Sequence, residues 1–198
     1  MALAFWYEFA STYSYLAAMR VEEEGRSRGI EVEWRPFLLG PIFKRQGWES
    51  SPFEVYPLKG LYMWRDVERQ CERYGLPFMR PEDFPQNGLL AARLAFIGCA
   101  EGWTPAFSSA VYQAEFGEGQ DISRPELLAG ILIDLVLDAD ALFARAGSAE
   151  VKAAFKAQGA EVERCGLFGT PSFVASDGEF FWGDDRMEQA FEWEARLG

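Results

Sequence analysis

The chain has no histidine among its 198 residues. That absence excludes Ser-His-Asp and Cys-His nucleophile pairs, His-ligated zinc and an imidazole general base. Cysteine is scarce as well. Cys71, Cys99 and Cys165 are the only three, too few and too widely spaced for a disulfide framework, a Cys-x-x-Cys redox pair or a thiolate metal cage. This usage fits a reducing cytoplasm. Positive charge is in deficit, with 19 Lys and Arg against 31 Asp and Glu and a formal net charge of -12. The surface field therefore repels phosphate backbones and anionic headgroups, and neither nucleic acid nor a membrane is an expected partner. Long apolar runs are missing too. Met1 to Ala18 is apolar and aromatic, but it carries Glu8 and meets its first basic residue only at Arg20, so it reads as structure and not as a signal segment. Gly130 to Phe143 is broken by Asp134, Asp138 and Asp140 and falls short of the ~20 apolar residues a membrane span needs.

What is present is ordinary globular material: 49% hydrophobic and 25% charged residues, in a length that suits one large domain or one domain with an insertion. Leu3 to Phe9 is aromatic and predicts a buried strand, ending at Ser11-Thr12. A helix follows, with Ser11 or Thr12 as N-cap and Gly29 as its stop. Ile30 to Phe37 alternates apolar and charged residues, the period of a second strand. After a Pro- and Gly-rich connection with a possible helical turn at Ile42 to Gln46, Leu58 to Tyr74 reads as an amphipathic helix with Leu61, Tyr62, Trp64, Val67 and Cys71 on its apolar face. Five more helical segments run from Leu89 to Cys165, the first four being Leu89 to Ala100, Pro105 to Phe116, Pro125 to Val136 and Ala139 to Ala146. Ser172 to Ala175 and Glu179 to Trp182 then form a hairpin around Ser176-Asp177-Gly178, and Asp184 or Asp185 caps a last helix. The pattern predicts an α/β fold: one sheet assembled from residues 1–40 and 166–198, with residues 41–165 inserted as a helical domain.

Three short motifs stand where chemistry is possible. Ser11-Thr12-Tyr13-Ser14 lies at a strand-to-helix junction, where outward N–H groups and the helix dipole favour an anion; Ser11 can equally serve only as a cap. Gly169-Thr170-Pro171-Ser172 places a proline at a strand entry, so it is either an edge proline or cis. Trp182-Gly183-Asp184-Asp185-Arg186 can cap a helix or hold the ammonium and carboxylate of a zwitterion. The cysteines read as small buried hydrophobes.

Strand, Ser-x-x-Ser, helix, helical insertion, then Gly-Thr-Pro before a hairpin and a final helix resembles the thioredoxin-like plan of the DsbA type, with Ser-x-x-Ser in place of Cys-x-x-Cys. The resemblance sharpens along the chain. Phe9-Ala10-Ser11-Thr12-Tyr13-Ser14-Tyr15-Leu16-Ala17, Leu39-Gly40 with Ile42-Phe43-Lys44, Tyr62-Met63-x-Arg65-Asp66, Gly75-Leu76-Pro77-Phe78, Phe168-Gly169-Thr170-Pro171 and Phe181-Trp182-Gly183-x-Asp185-Arg186 are similar to the 2-hydroxychromene-2-carboxylate isomerase family, relatives of kappa-class glutathione transferases.

The resemblance implies that glutathione supplies the thiol this chain lacks. Ser11 would donate a hydrogen bond to its sulfur while the helix N-terminus favours the thiolate. It further implies that Thr170, beside a cis Pro171, pairs with the cysteinyl part of glutathione, that Asp185 and Arg186 hold the γ-glutamyl end, and that Lys44 faces the carboxylate of a small aromatic substrate. A homodimer is implied as well. Two departures stand out: Thr12 follows the serine where the family often has Pro, and Trp48-Glu49 occupies a region where many relatives have Asn, although the only asparagine here is Asn87. An acidic side chain there repels a carboxylate, so the resemblance implies glutathione use more directly than chromene use. The leading expectation is a glutathione-dependent isomerase, with a glutathione transferase and a non-catalytic thioredoxin-fold protein binding glutathione or peptide as alternatives. Disulfide exchange is disfavoured because neither Ser11 nor Ser14 can supply a thiolate.

Overall fold

A computed structural model of the chain describes residues 1–48 and 51–198. β1 (Ala2–Tyr7) leads into α1 (Thr12–Arg28), and β2 (Glu31–Pro36) returns parallel to β1, with Phe5 opposite Trp34. The helical stretch follows: α2 (Gly40–Arg45), α3 (Pro52–Val55), α4 (Pro57–Tyr74), α5 (Leu89–Glu101), α6 (Thr104–Tyr112), a π turn at Gln113–Gly117, α7 (Pro125–Asp134), α8 (Ala139–Ala146) and α9 (Ala149–Arg164). β3 (Ser172–Val174) and β4 (Phe180–Trp182) then form the hairpin, and α10 (Met187–Leu197) closes the chain. The sheet order is β2-β1-β3-β4, with β3 antiparallel to both neighbours. Strands from the two chain ends therefore share one sheet, as the pattern of the sequence predicts, in the DsbA-like thioredoxin arrangement.

β1 is central because its side chains can be buried on both faces. Leu3, Phe5 and Tyr7 enter the larger core, where the ring of Phe5 stacks on that of Phe173 and Tyr7 lies against Phe9 and Tyr112. Trp6 turns the other way, into a smaller cluster with Phe37, Ile42, Val162 and Leu167. Alternation along a strand places successive side chains on opposite faces, and each large side chain fully buried contributes roughly 1.5–3 kcal/mol. The larger core continues without a break into the helices through Phe107, Val111, Tyr112 and Phe116.

Several expectations need correcting. On α4 the buried side chains are Met63, Trp64, Val67 and Cys71, while Leu61 and Tyr62 are exposed. At 3.6 residues per turn, position 63 falls in register with 67 and 71, and positions 61 and 62 roll outward. Cys71 is buried, whereas Cys99 and Cys165 are exposed; Cys165 follows the end of α9 and so has no helix face to bury it. The expected Pro105 to Phe116 helix changes pitch at Tyr112 into the π turn. Neither Asp184 nor Asp185 caps the last helix: a 3₁₀ turn spans Asp184–Arg186, and α10 starts after Arg186 with no side-chain cap. Among the described residues, no helix is long and apolar enough to cross a membrane.

Candidate functional site

Ser11 is the N-cap of α1. Its extended backbone (φ -109°, ψ 113°) precedes the first helical residue, and its Oγ accepts a hydrogen bond from the Ser14 N–H at 3.2 Å. One lone pair of the hydroxyl is thereby used, and its proton stays free to donate outward. No acidic side chain occupies the first turn of α1, so the positive end of the helix dipole is not neutralised locally. Ser14 is fully buried and does not line the cleft that Ser11 faces. Of the two serines in the motif, Ser11 alone lines the cleft.

That cleft has a volume of about 1030 Å³. Opposite ends of the chain meet in it. Ser11 and Tyr13 come from the start of α1, Thr170 and Trp182 to Asp185 from the C-terminal segment, and Asp66, Arg73 and Tyr74 from α4. Size and a mixed polar and aromatic lining suit a small organic ligand.

The Thr170-Pro171 peptide bond is cis. Thr170 lines the cleft, and its backbone N–H and C=O have no hydrogen-bond partner among the described residues. Pro171 lies behind it, buried, where its carbonyl accepts from the Gly183 N–H at 2.9 Å. Gly183 has φ 111°, a backbone that side-chain-bearing residues rarely adopt. At Gly169 a Cβ would collide with the indole of Trp182. These two glycines let the Gly-Thr-Pro turn and the Trp-Gly-Asp turn pack against each other.

The neighbouring acids have different environments. Asp184 is buried and accepts from Arg20 Nη2 at 2.8 Å, with the Tyr74 hydroxyl 3.4 Å from its other oxygen. Arg20 in turn lies 3.7 Å over the Tyr74 ring. Burial pushes the Asp184 carboxyl above its ordinary value, with the Arg20 charge opposing the rise. Asp185 is exposed on the cleft wall and pairs with Arg186 at 3.0 Å; Arg186 itself does not line the cleft. Asp66 is engaged by the Tyr13 hydroxyl at 3.0 Å and by Arg69 at 2.9 Å. Burial and the nearby Asp66 charge hold the Tyr13 phenol well above its usual range, so Tyr13 presents a neutral ring edge.

Of the residues singled out in the sequence, the structure brings Ser11, Thr170, Asp185 and Trp48 to one cleft. Trp48 is half-buried beside Phe43, ring centroids 5.8 Å apart. Lys44 is exposed on α2 and does not line the cleft; the basic residues that do are Lys59 and Arg73. Glu49 lies outside the described residues. Sequence reasoning missed Glu8, which also lines the cleft. Its Oε2 accepts from the Leu39 N–H at 2.9 Å, and burial pushes its carboxyl up to about 7. A lone charge inside an aromatic strand segment was the available signal. The Arg20–Asp184–Tyr74 cluster was missed as well, because it joins residues more than a hundred positions apart.

The family of DSBA-like thioredoxin domains matches residues 2–192. The chain is 30% identical over 185 residues to a 2-hydroxychromene-2-carboxylate isomerase of Sphingobium xenophagum, covering 93% of each. It is 25% identical to glutathione S-transferase kappa 2 of Caenorhabditis elegans, over 93% of this chain and 88% of that one. A solved structure of 2-hydroxychromene-2-carboxylate isomerase superposes with a TM-score of 0.89 at 24% identity, covering 100% of this chain and 96% of the other.

Proposed function

Since the chain belongs to the 2-hydroxychromene-2-carboxylate isomerase family of DsbA-like thioredoxin domains, we propose that it is a glutathione-dependent isomerase acting on 2-hydroxychromene-2-carboxylate or a related aromatic 2-oxo acid. The observation that carries the reading is Ser11: a cleft-facing hydroxyl with a free proton, at the start of a 17-residue helix, in a fold whose relatives carry these names. Bound glutathione would supply a thiolate able to add reversibly to the unsaturated substrate and leave again after a bond has turned.

The residues present fit such a ligand. The Ser11 O–H donates to the sulfur, and the first-turn amides of α1 stabilise its negative charge. The unpaired N–H and C=O of Thr170 offer the two bonds that an extended peptide backbone needs. Asp185 holds the ammonium of the γ-glutamyl group, with Arg186 beside it. Trp48 and Phe43 give a flat aromatic substrate an apolar wall. Lys59 and Arg73 carry the positive charge within the cleft that a substrate carboxylate requires. Lys44, exposed on α2, reaches that carboxylate only from the rim.

A kappa-like transferase shares the fold and the thiol, and stoichiometry separates the two. Incubation with limiting glutathione and excess 2-hydroxychromene-2-carboxylate should convert many equivalents of substrate with free thiol unchanged. Consumption of one thiol per turnover identifies a transferase. Absence of glutathione binding at millimolar concentration removes both and leaves a thioredoxin-fold binding protein.

A further inference from the structure

Glu8 sits at the end of β1, three residues before Ser11, and lines the same cleft. Its Oε2 is engaged by the Leu39 N–H, and among the described residues no Lys or Arg pairs with it. Behind it, Glu115 in the π turn is fully buried, and both its carboxyl oxygens lack any hydrogen-bond partner. The groups facing the pair are the Leu39 N–H from the β2–α2 connection, the Tyr112 hydroxyl from α6, which donates to the Glu8 carbonyl at 2.7 Å, and Asp121 beyond Glu115. None is a cation. A buried carboxylate with neither a donor nor a counter-charge is strongly disfavoured, so Glu115 keeps its proton: burial first, then the Glu8 and Asp121 charges, hold its carboxyl well above the ordinary range.

The other acids lining the cleft are Asp66, Asp184, Asp185 and Glu188, and the first three are already engaged. Asp66 serves Tyr13 and Arg69, Asp184 serves Arg20, and Asp185 serves Arg186. With no histidine in the chain and Glu188 solvent-exposed on α10, Glu8 is the cleft acid that burial holds near neutrality without a cation beside it. We propose that Glu8 is the proton-exchanging residue of the cleft: its Oε1 takes the proton given up as a thiol binds at Ser11 in thiolate form, and returns it on release, while Glu115 stays protonated behind. The inference rests on the glutathione reading. In the step the S–H bond breaks, its electron pair stays on sulfur and an O–H bond forms on Glu8, so nothing is oxidised. The driving force is electrostatic: two negative charges in a poorly solvated cleft repel, so arrival of the thiolate tightens the hold of Glu8 on a proton.

Proton inventory tests this independently of turnover. Glutathione binding would be measured by calorimetry near pH 8 in buffers of different ionisation enthalpy, with ultraviolet thiolate absorbance followed in parallel. Wild type should form thiolate with release of close to zero protons per site, and the protonated-carboxyl infrared band should grow by one group. Glu8→Gln keeps an acceptor for the Leu39 N–H and should release close to one proton per thiolate formed; Glu115→Gln should behave as wild type. Thiolate formation with about one proton released by wild type, or with no difference between wild type and Glu8→Gln, overturns the assignment and leaves glutathione binding intact. No heat and no thiolate band overturn the glutathione reading itself. Should Glu8→Gln fail to fold, the wild-type infrared band alone decides: growth supports Glu8, and an unchanged band overturns it.

Discussion

Two acids border one cleft, Asp184 buried and Glu8 half-buried, and they are handled in opposite ways. Asp184 lies where α1, α4 and the 3₁₀ turn meet, and its charge is answered by Arg20 at 2.8 Å. Glu8 lies at the foot of β1 with a backbone N–H on one oxygen and a second acid, Glu115, nearby. Burial raises both carboxyls. The first acid is spent on structure, since its pairing ties three elements together. The second has no counter-charge among the described residues, the setting in which a perturbed acid is a candidate for function.

The comparison predicts its own breaking points. Removing Asp184 strands Arg20 in a largely buried position, and breaking such a pair costs about 3–5 kcal/mol. Asp184→Ala should therefore shift urea unfolding by about 4 kcal/mol, and a variant also carrying Arg20→Met should recover part of the loss. Glu8 should show the reverse behaviour. Its folded-state value of about 7 lies above the ordinary 4.5, so its contribution is fully present below pH 4.5 and is lost as pH rises through 7. Glu8→Gln should accordingly gain roughly 3 kcal/mol relative to wild type between those limits; a difference that does not vary with pH would remove the contrast. Tyr74→Phe should cost only about 0.5–1 kcal/mol in the same unfolding assay, because its bond to Asp184 is long and Arg20 still stacks on the ring. Glu23→Gln, which breaks an exposed ion pair with Arg26 on α1, should change stability by less than about 0.5 kcal/mol.

Much of the fold was legible because it is written in local chemistry. The Gly29 stop, the cap at the start of α1 and the 139–146 helix follow from residues within a turn of each boundary. The family resemblance rested on the same short-range signals, together with their order along the chain. What was not legible depends on distant partners. Asp184 looks like a cap in sequence, and only the return of α1 beside the C-terminal turn supplies Arg20 and shows its use. Leu61 and Tyr62 look buried by hydropathy, and the register of α4 exposes them. In the site, Ser11 and the Thr170-Pro171 turn could be named from motifs. Lys59 and Arg73 could not, since their place in the cleft is set by how α4 closes around the helix start, whereas Glu8 carried a signal, a lone charge in an aromatic strand segment, that was passed over.

The central claim is that the start of α1 converts a bound thiol into a thiolate through Ser11. Ultraviolet thiolate absorbance during titration with glutathione near pH 6.5 tests it most directly, with Ser11→Ala measured alongside. Loss of the cap lowers stability by only about 1 kcal/mol, so the variant remains folded for comparison. A site that lowers a thiol by ~2 units favours the anion by roughly 2.7 kcal/mol, near a hundredfold. The account predicts a saturable thiolate band in wild type that falls by most of that factor in Ser11→Ala. An equal band in both proteins would contradict it.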